Sequence, residues 1–146
     1  MVDEFQHVSI SCRDLERSIS FYEKLGLKVI KRIDEVKEEG IAQAFQLPSA
    51  RLRVAYLAPP QATSKIFIDL VQWLEPPFTG EAYPALNHLG INRLALQVSG
   101  IDATTAALRE RGITFLSSRP EIFGQGIRSI VTVDPDGVFI QLIEGL

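Results

Sequence analysis

The sequence predicts an α+β fold built from two tandem β-α-β-β-β modules, and three observations predict it. The first is an internal duplication. When residue 7 is laid on residue 93, His7-Val8-Ser9-Ile10 falls on Arg93-Leu94-Ala95-Leu96, and Leu25-Gly26-Leu27 falls on Arg111-Gly112-Ile113 without a gap. The second is a later match, with residue 66 laid on residue 138. There Ile66-Phe67-Ile68-Asp69-Leu70-Val71 meets Val138-Phe139-Ile140-Gln141-Leu142-Ile143. The third is that each copy opens with period-two apolar alternation and then switches to helical spacing. The later match needs a smaller shift, so the first copy carries about 14 extra residues, most simply around residues 35–48.

Taken in order, residues 5–11 alternate and read as a strand. Asp14 offers an N-cap, and Leu15, Ile19, Tyr22 and Leu25 recur at helical spacing until Gly26 stops the helix. Residues 27–33 form the next strand, and the charged stretch 35–40 reads as solvated. Residues 41–47 suit a short helical turn before Pro48. Strands follow at 51–57 and 65–73, each closed by a Pro-Pro pair. Residues 74–90 are rich in Pro and Gly and lack periodicity, which marks a linker. The expected organisation is a single domain spanning 1–146, with module one at 1–75, the linker at 76–89 and module two at 90–146.

Module two opens with a strand at 91–98. Ser99 and Asp102 suggest a capping box, Ile101, Thr105 and Leu108 carry the helix, and Gly112 ends it. A strand at 113–116 and a loop at 119–126 come next. Strands at 126–133 and 138–144 are joined by Asp134-Pro135-Asp136-Gly137, a strong hairpin signal because Pro fixes φ and Gly accepts a left-handed turn.

Composition narrows the function classes. A net charge of −3, with Lys and Arg scattered along the chain, argues against nucleic acid. No apolar run is long enough to span a membrane and no signal segment opens the chain, so a cytoplasmic protein is expected. The single Cys12 excludes an internal disulfide. Gly124-Gln125-Gly126 lacks the strand–loop–helix setting of a phosphate site.

The duplication, the paired module pattern, and the Asp134–Gly137 hairpin followed by Ile140-Gln141-Leu142-Ile143-Glu144 resemble the vicinal oxygen chelate superfamily of glyoxalase, bleomycin-resistance and dioxygenase proteins. The resemblance covers nearly the whole chain. It implies half-barrel sheets around a central small-molecule cavity, and homodimer formation. It also implies a metal site drawn from four strand positions, which here hold His7, Asp69, Arg93 and Gln141. The usual set is His or Gln, Glu, His and Glu. At position 93 this chain has a permanent cation where an imidazole is expected.

Arg has no lone pair to offer and does not deprotonate in proteins. Two unit charges 4 Å apart repel by about 4 kcal/mol at an effective dielectric of about 20, and a divalent ion doubles that. No cofactor is therefore expected, with a divalent metal as the less favoured alternative. The guanidinium would occupy the ion's place, either pairing with Asp69 or holding an anionic or carbonyl oxygen. Asp69 and His7 are the candidate proton-transfer groups, with Arg93 and Gln141 completing the catalytic set. Trp73, Phe67 and Tyr56 are candidate cavity walls, and Phe123 and Arg128, at the glycine-bearing loop, are candidate ligand contacts.

The expected function is a metal-independent acid–base enzyme of isomerase, lyase or cyclase type acting on an oxygenated or anionic substrate. The alternatives are a non-catalytic sequestering protein of bleomycin-resistance type and, further off, a metal-dependent lyase or dioxygenase.

Overall fold

The computed structural model describes residues 1–63 and 65–145. The chain divides into two compact units, Met1–Gly80 and Glu81–Leu146. Each holds one four-stranded mixed sheet, and the chain is α+β with three helices among the described residues, the class its duplicated pattern predicts.

Unit 1 contains β1 (His7–Ser11), α1 (Leu15–Lys24), β2 (Lys28–Lys37), α2 (Glu39–Phe45), β3 (Arg51–Ala58) and β4 (Phe67–Glu75), with the sheet ordered β1-β4-β3-β2. β1 runs parallel to β4 and the other pairs are antiparallel. Asp14 caps α1 by accepting a hydrogen bond from the Arg17 backbone N–H at 3.0 Å. Asp14→Ala should destabilise the protein by about 1 kcal/mol in a urea unfolding series. α1 buries Leu15, Ile19 and Tyr22. Its Leu15 N–H reaches Gln72 of β4, so Ile68, Leu70 and Gln72 form the face of β4 toward this helix.

The opposite face of the same sheet carries Leu52, Val54 and Val71, covered by Ala42 of α2. α2 falls inside the stretch by which copy one exceeds copy two, and unit 2 has no counterpart helix among the described residues. The inserted sequence is thus a cap on one face of one sheet. β2 also runs further than expected, through Lys37. A register shift between Ile33 and Val36 turns both side chains onto the apolar cluster. The intervening charges find partners instead: Asp34 with Arg32 and Arg53, and Glu35 with Arg51.

Unit 2 contains β5 (Leu94–Gln97), α3 (Ile101–Glu110), β6 (Glu121–Phe123), β7 (Ile127–Val133) and β8 (Phe139–Glu144), ordered β5-β8-β7-β6. Shifting α1 by the duplication offset gives α3 residue for residue. The cross-strand registers also match: Ser9 lies beside Asp69 in unit 1, and Ala95 beside Gln141 in unit 2.

Three expectations are corrected here. The strand expected at 113–116 is a single bridge between Phe115 and Thr132, and the fourth strand of the sheet is β6, inside the stretch read as a loop. The capping box at Ser99 does not form. The N-cap is Gly100, at φ +71, and the Glu144 carboxylate accepts from the backbone N–H groups of Gly100 and Ile101. Asp102 is instead drawn to Arg128. The hairpin at Asp134 forms as read: its Oδ1 accepts from Asp136 N–H at 2.9 Å and Val138 N–H at 2.8 Å, and Gly137 takes φ +99. No helix among the described residues is long and apolar enough to cross a membrane.

Candidate functional site

In unit 1 the strand pleat brings five of the residues selected from the sequence onto one face. Phe67, Asp69 and Trp73 share a face of β4 by period two, Tyr56 lies opposite Asp69 on β3, and His7 lies beside Phe67 on β1. The His7 ring stacks on Phe67 at 5.2 Å between centroids, and Phe67 meets Tyr56 at 4.5 Å. Ser9 and Ser11 line the same strip. Ser9 donates to Asp69 Oδ2 at 3.0 Å, and the Trp73 indole N–H donates to Ser11 Oγ at 3.2 Å. Arg53 points the other way, toward Glu16 of α1, so Tyr56 is the β3 residue that faces the strip.

Asp69 is the anomalous group of this face. Its Oδ1 is buried and accepts no hydrogen bond from the described residues. Burial pushes its carboxyl above the usual Asp range, while the Ser9 hydroxyl and the charge of His7 draw it part of the way back. A half-buried carboxylate with one unsatisfied oxygen is costly unless something is meant to meet it.

In unit 2 Arg93 sits just ahead of β5, exposed at the surface of its unit, and Gln141 is buried in β8. Arg93 Nε donates to Gln141 Oε1 at 2.7 Å, and Nη1 donates to Asn92 Oδ1 at 3.0 Å. Gln141 Nε2 in turn donates to Ser129 Oγ at 2.6 Å. Asn92 and Ser129 escape a reading of the sequence alone. Period two places Ser129 on one face of β7, but only the β7–β8 register shows that this is Gln141's face.

Two candidates lie apart from these groups. Arg128 is on the α3 side of β7, held by both oxygens of Asp102 at 2.6 and 2.7 Å. An arginine fixed in such a fork has little freedom to meet a ligand on the opposite face. Phe123 does share Gln141's face, opposite Ile127, but on the edge strand β6, two strands from β8. His88 stacks on Tyr83 at 4.1 Å, with its Nδ1 2.9 Å from the Leu89 carbonyl oxygen.

The donor set does not fit a divalent ion. Arg93 offers no lone pair. The carbonyl oxygen by which Gln141 would ligate already accepts from Arg93. Among the described residues no three His, Cys, Asp or Glu side chains gather as ligands would.

Paired modules of this topology, with polar residues at equivalent positions, define a class of duplicated α+β proteins. The family model of the glyoxalase/bleomycin resistance protein/dioxygenase superfamily matches residues 4–142, and the chain belongs to that superfamily. It is 25% identical over 144 residues to a lactoylglutathione lyase of Schizosaccharomyces pombe, matching 96% of this chain but 44% of that enzyme, so it spans less than half the enzyme's length. A glyoxalase-family protein of Bacillus cereus has a similar structure at TM-score 0.85 and 25% identity, with 100% of this chain and 96% of that one covered. An antibiotic-binding protein of Streptomyces is similar at TM-score 0.64 and 26% identity, covering 99% and 98%.

Proposed function

We propose that this protein is a metal-independent acid–base catalyst of its superfamily, acting as an isomerase, lyase or cyclase on a small oxygenated, anionic molecule. The observation that supports it most strongly is Asp69, a half-buried carboxyl with a raised proton affinity and one unmet oxygen. A carboxyl whose proton affinity is raised by burial suits proton abstraction beside a carbonyl. The chemistry is balanced within the protein: the base takes the proton from carbon, and the electron pair passes to the carbonyl oxygen. In unit 2, Arg93 is the group suited to hold an anionic oxygen. His7, beside Phe67, is the second proton carrier.

The test is carbon-bound hydrogen exchange in heavy water, followed by proton NMR across a panel of hydroxy and keto acids. Wash-out of a proton next to a carbonyl is expected, and it should be lost in Asp69→Asn. A panel without exchange, together with saturable binding, turns the reading to sequestration. That second reading draws on the aromatic run of Tyr56, Phe67, Trp73 and Phe45, and on the similarity to an antibiotic-binding protein. The same proposal takes the protein to be a cytoplasmic homodimer, and sedimentation velocity checks the dimer.

A further inference from the structure

Among the described residues four arginines lie on the strands of the two sheets, and all four meet carboxylates. Arg32 and Arg53 engage Glu16 and Asp34, Arg51 engages Glu35 and Glu75, and Arg128 engages Asp102. Arg93 is different. Both of its partners in unit 2, Gln141 and Asn92, are uncharged amides. Its positive charge is therefore oriented without being neutralised inside its own unit.

We infer that Ser129 and Asn92 are positioning residues that aim Arg93 at one oxyanion, the carboxylate or enolate oxygen of a monoanionic organic molecule. This rests on the reading of Arg93 as the anion-holding group and extends it to the residues behind it. The hydrogen-bond polarity follows from donor chemistry. Arg only donates, so the Gln141 atom facing Nε must be its carbonyl oxygen. The amide nitrogen then faces Ser129, which must accept.

Gln141 and Ser129 are each 3% exposed, so turning the amide over would leave a buried polar group unpaired. The Gln141 side chain is locked, and with it the direction of Nε. Asn92 fixes a second nitrogen, and two bonds on different nitrogens set the plane of the guanidinium. Nη2 donates to none of the described residues, and Arg93 is exposed. The N–H groups left over belong to an exposed guanidinium, which suits a carboxylate or an enolate oxygen. A neutral ligand gains little there.

The test uses benzoate as the anion and benzamide as its neutral counterpart, with the Arg93 Nε–H signal followed by nitrogen-15 NMR. Benzoate should shift that signal saturably and benzamide should not. Arg93→Met should abolish the response. Ser129→Ala should weaken benzoate binding about tenfold and move the unliganded Nε–H signal, and Ser129→Thr, which keeps the hydroxyl, should restore both. Gln141→Glu is a second arm that needs no loss of packing. Its carboxylate neutralises Arg93, so benzoate binding should vanish while the melting temperature holds or rises. Loss of binding in Arg93→Met with unchanged affinity in Ser129→Ala and Gln141→Glu would overturn the positioning inference alone. An unresponsive wild-type protein, or an Arg93→Met variant that binds benzoate normally, would overturn the reading beneath it as well.

Discussion

Asp69→Asn should lower turnover by about a hundredfold or more, the usual range for losing a positioned general base, and should also raise the melting temperature by a few degrees. The two effects have one origin. The carboxyl is desolvated, one of its oxygens is unmet, and its proton affinity is raised above the ordinary Asp value. A group that binds its proton more tightly when folded contributes stability that is complete below its unfolded pKa. That contribution is lost as pH rises through the folded value. Above that folded value the ionised side chain is therefore a burden on the fold. Asparagine keeps the shape, can still bond Ser9, and carries no charge. Stabilising changes at the cost of activity are the usual signature of a functional group. Thermal unfolding of both proteins at pH 4 and pH 8 checks this, with the variant's advantage present at pH 8 and shrinking toward pH 4. A variant less stable than wild type at pH 8 would make Asp69 a structural residue.

Arg93→His should raise affinity for zinc or nickel by at least about a hundredfold, which is under 3 kcal/mol. The substitution removes a fixed cation, returns the imidazole usual at this position in the superfamily, and frees the Gln141 carbonyl oxygen that Arg93 now occupies. Repulsion between a guanidinium and a divalent ion at close range is larger than that gain requires. Isothermal titration of metal-free protein measures it. Unchanged affinity in the variant would show that Arg93 is not what disfavours the ion.

Much of the fold and half of the candidate site are legible in the amino-acid sequence. The duplication gives α1 and α3 matching bounds, and the parity of β4 places Phe67, Asp69 and Trp73 on one side. Asp134 and Gly137 announce their turn through chemistry local to four residues. What stays hidden depends on partners distant along the chain. Ser99 and Asp102 have the right spacing for a cap, yet Glu144, from the far end of the unit, reaches the helix start first. Arg128 looks free beside a glycine loop, and only the placement of α3 reveals its fork with Asp102. Residues 35–37 look solvated because a register shift in β2 breaks the alternation that would have betrayed Val36. Ser129 needs the β7–β8 register before it can be tied to Gln141.

Catalysis by side chains alone, with a guanidinium in place of an ion, is tested most directly by the rate of hydrogen exchange at the substrate carbon before and after exhaustive chelation, with elemental analysis on the same samples. Equal rates at vanishing metal content are expected. A rate that collapses on chelation and returns with one equivalent of a divalent ion would contradict a metal-free mechanism.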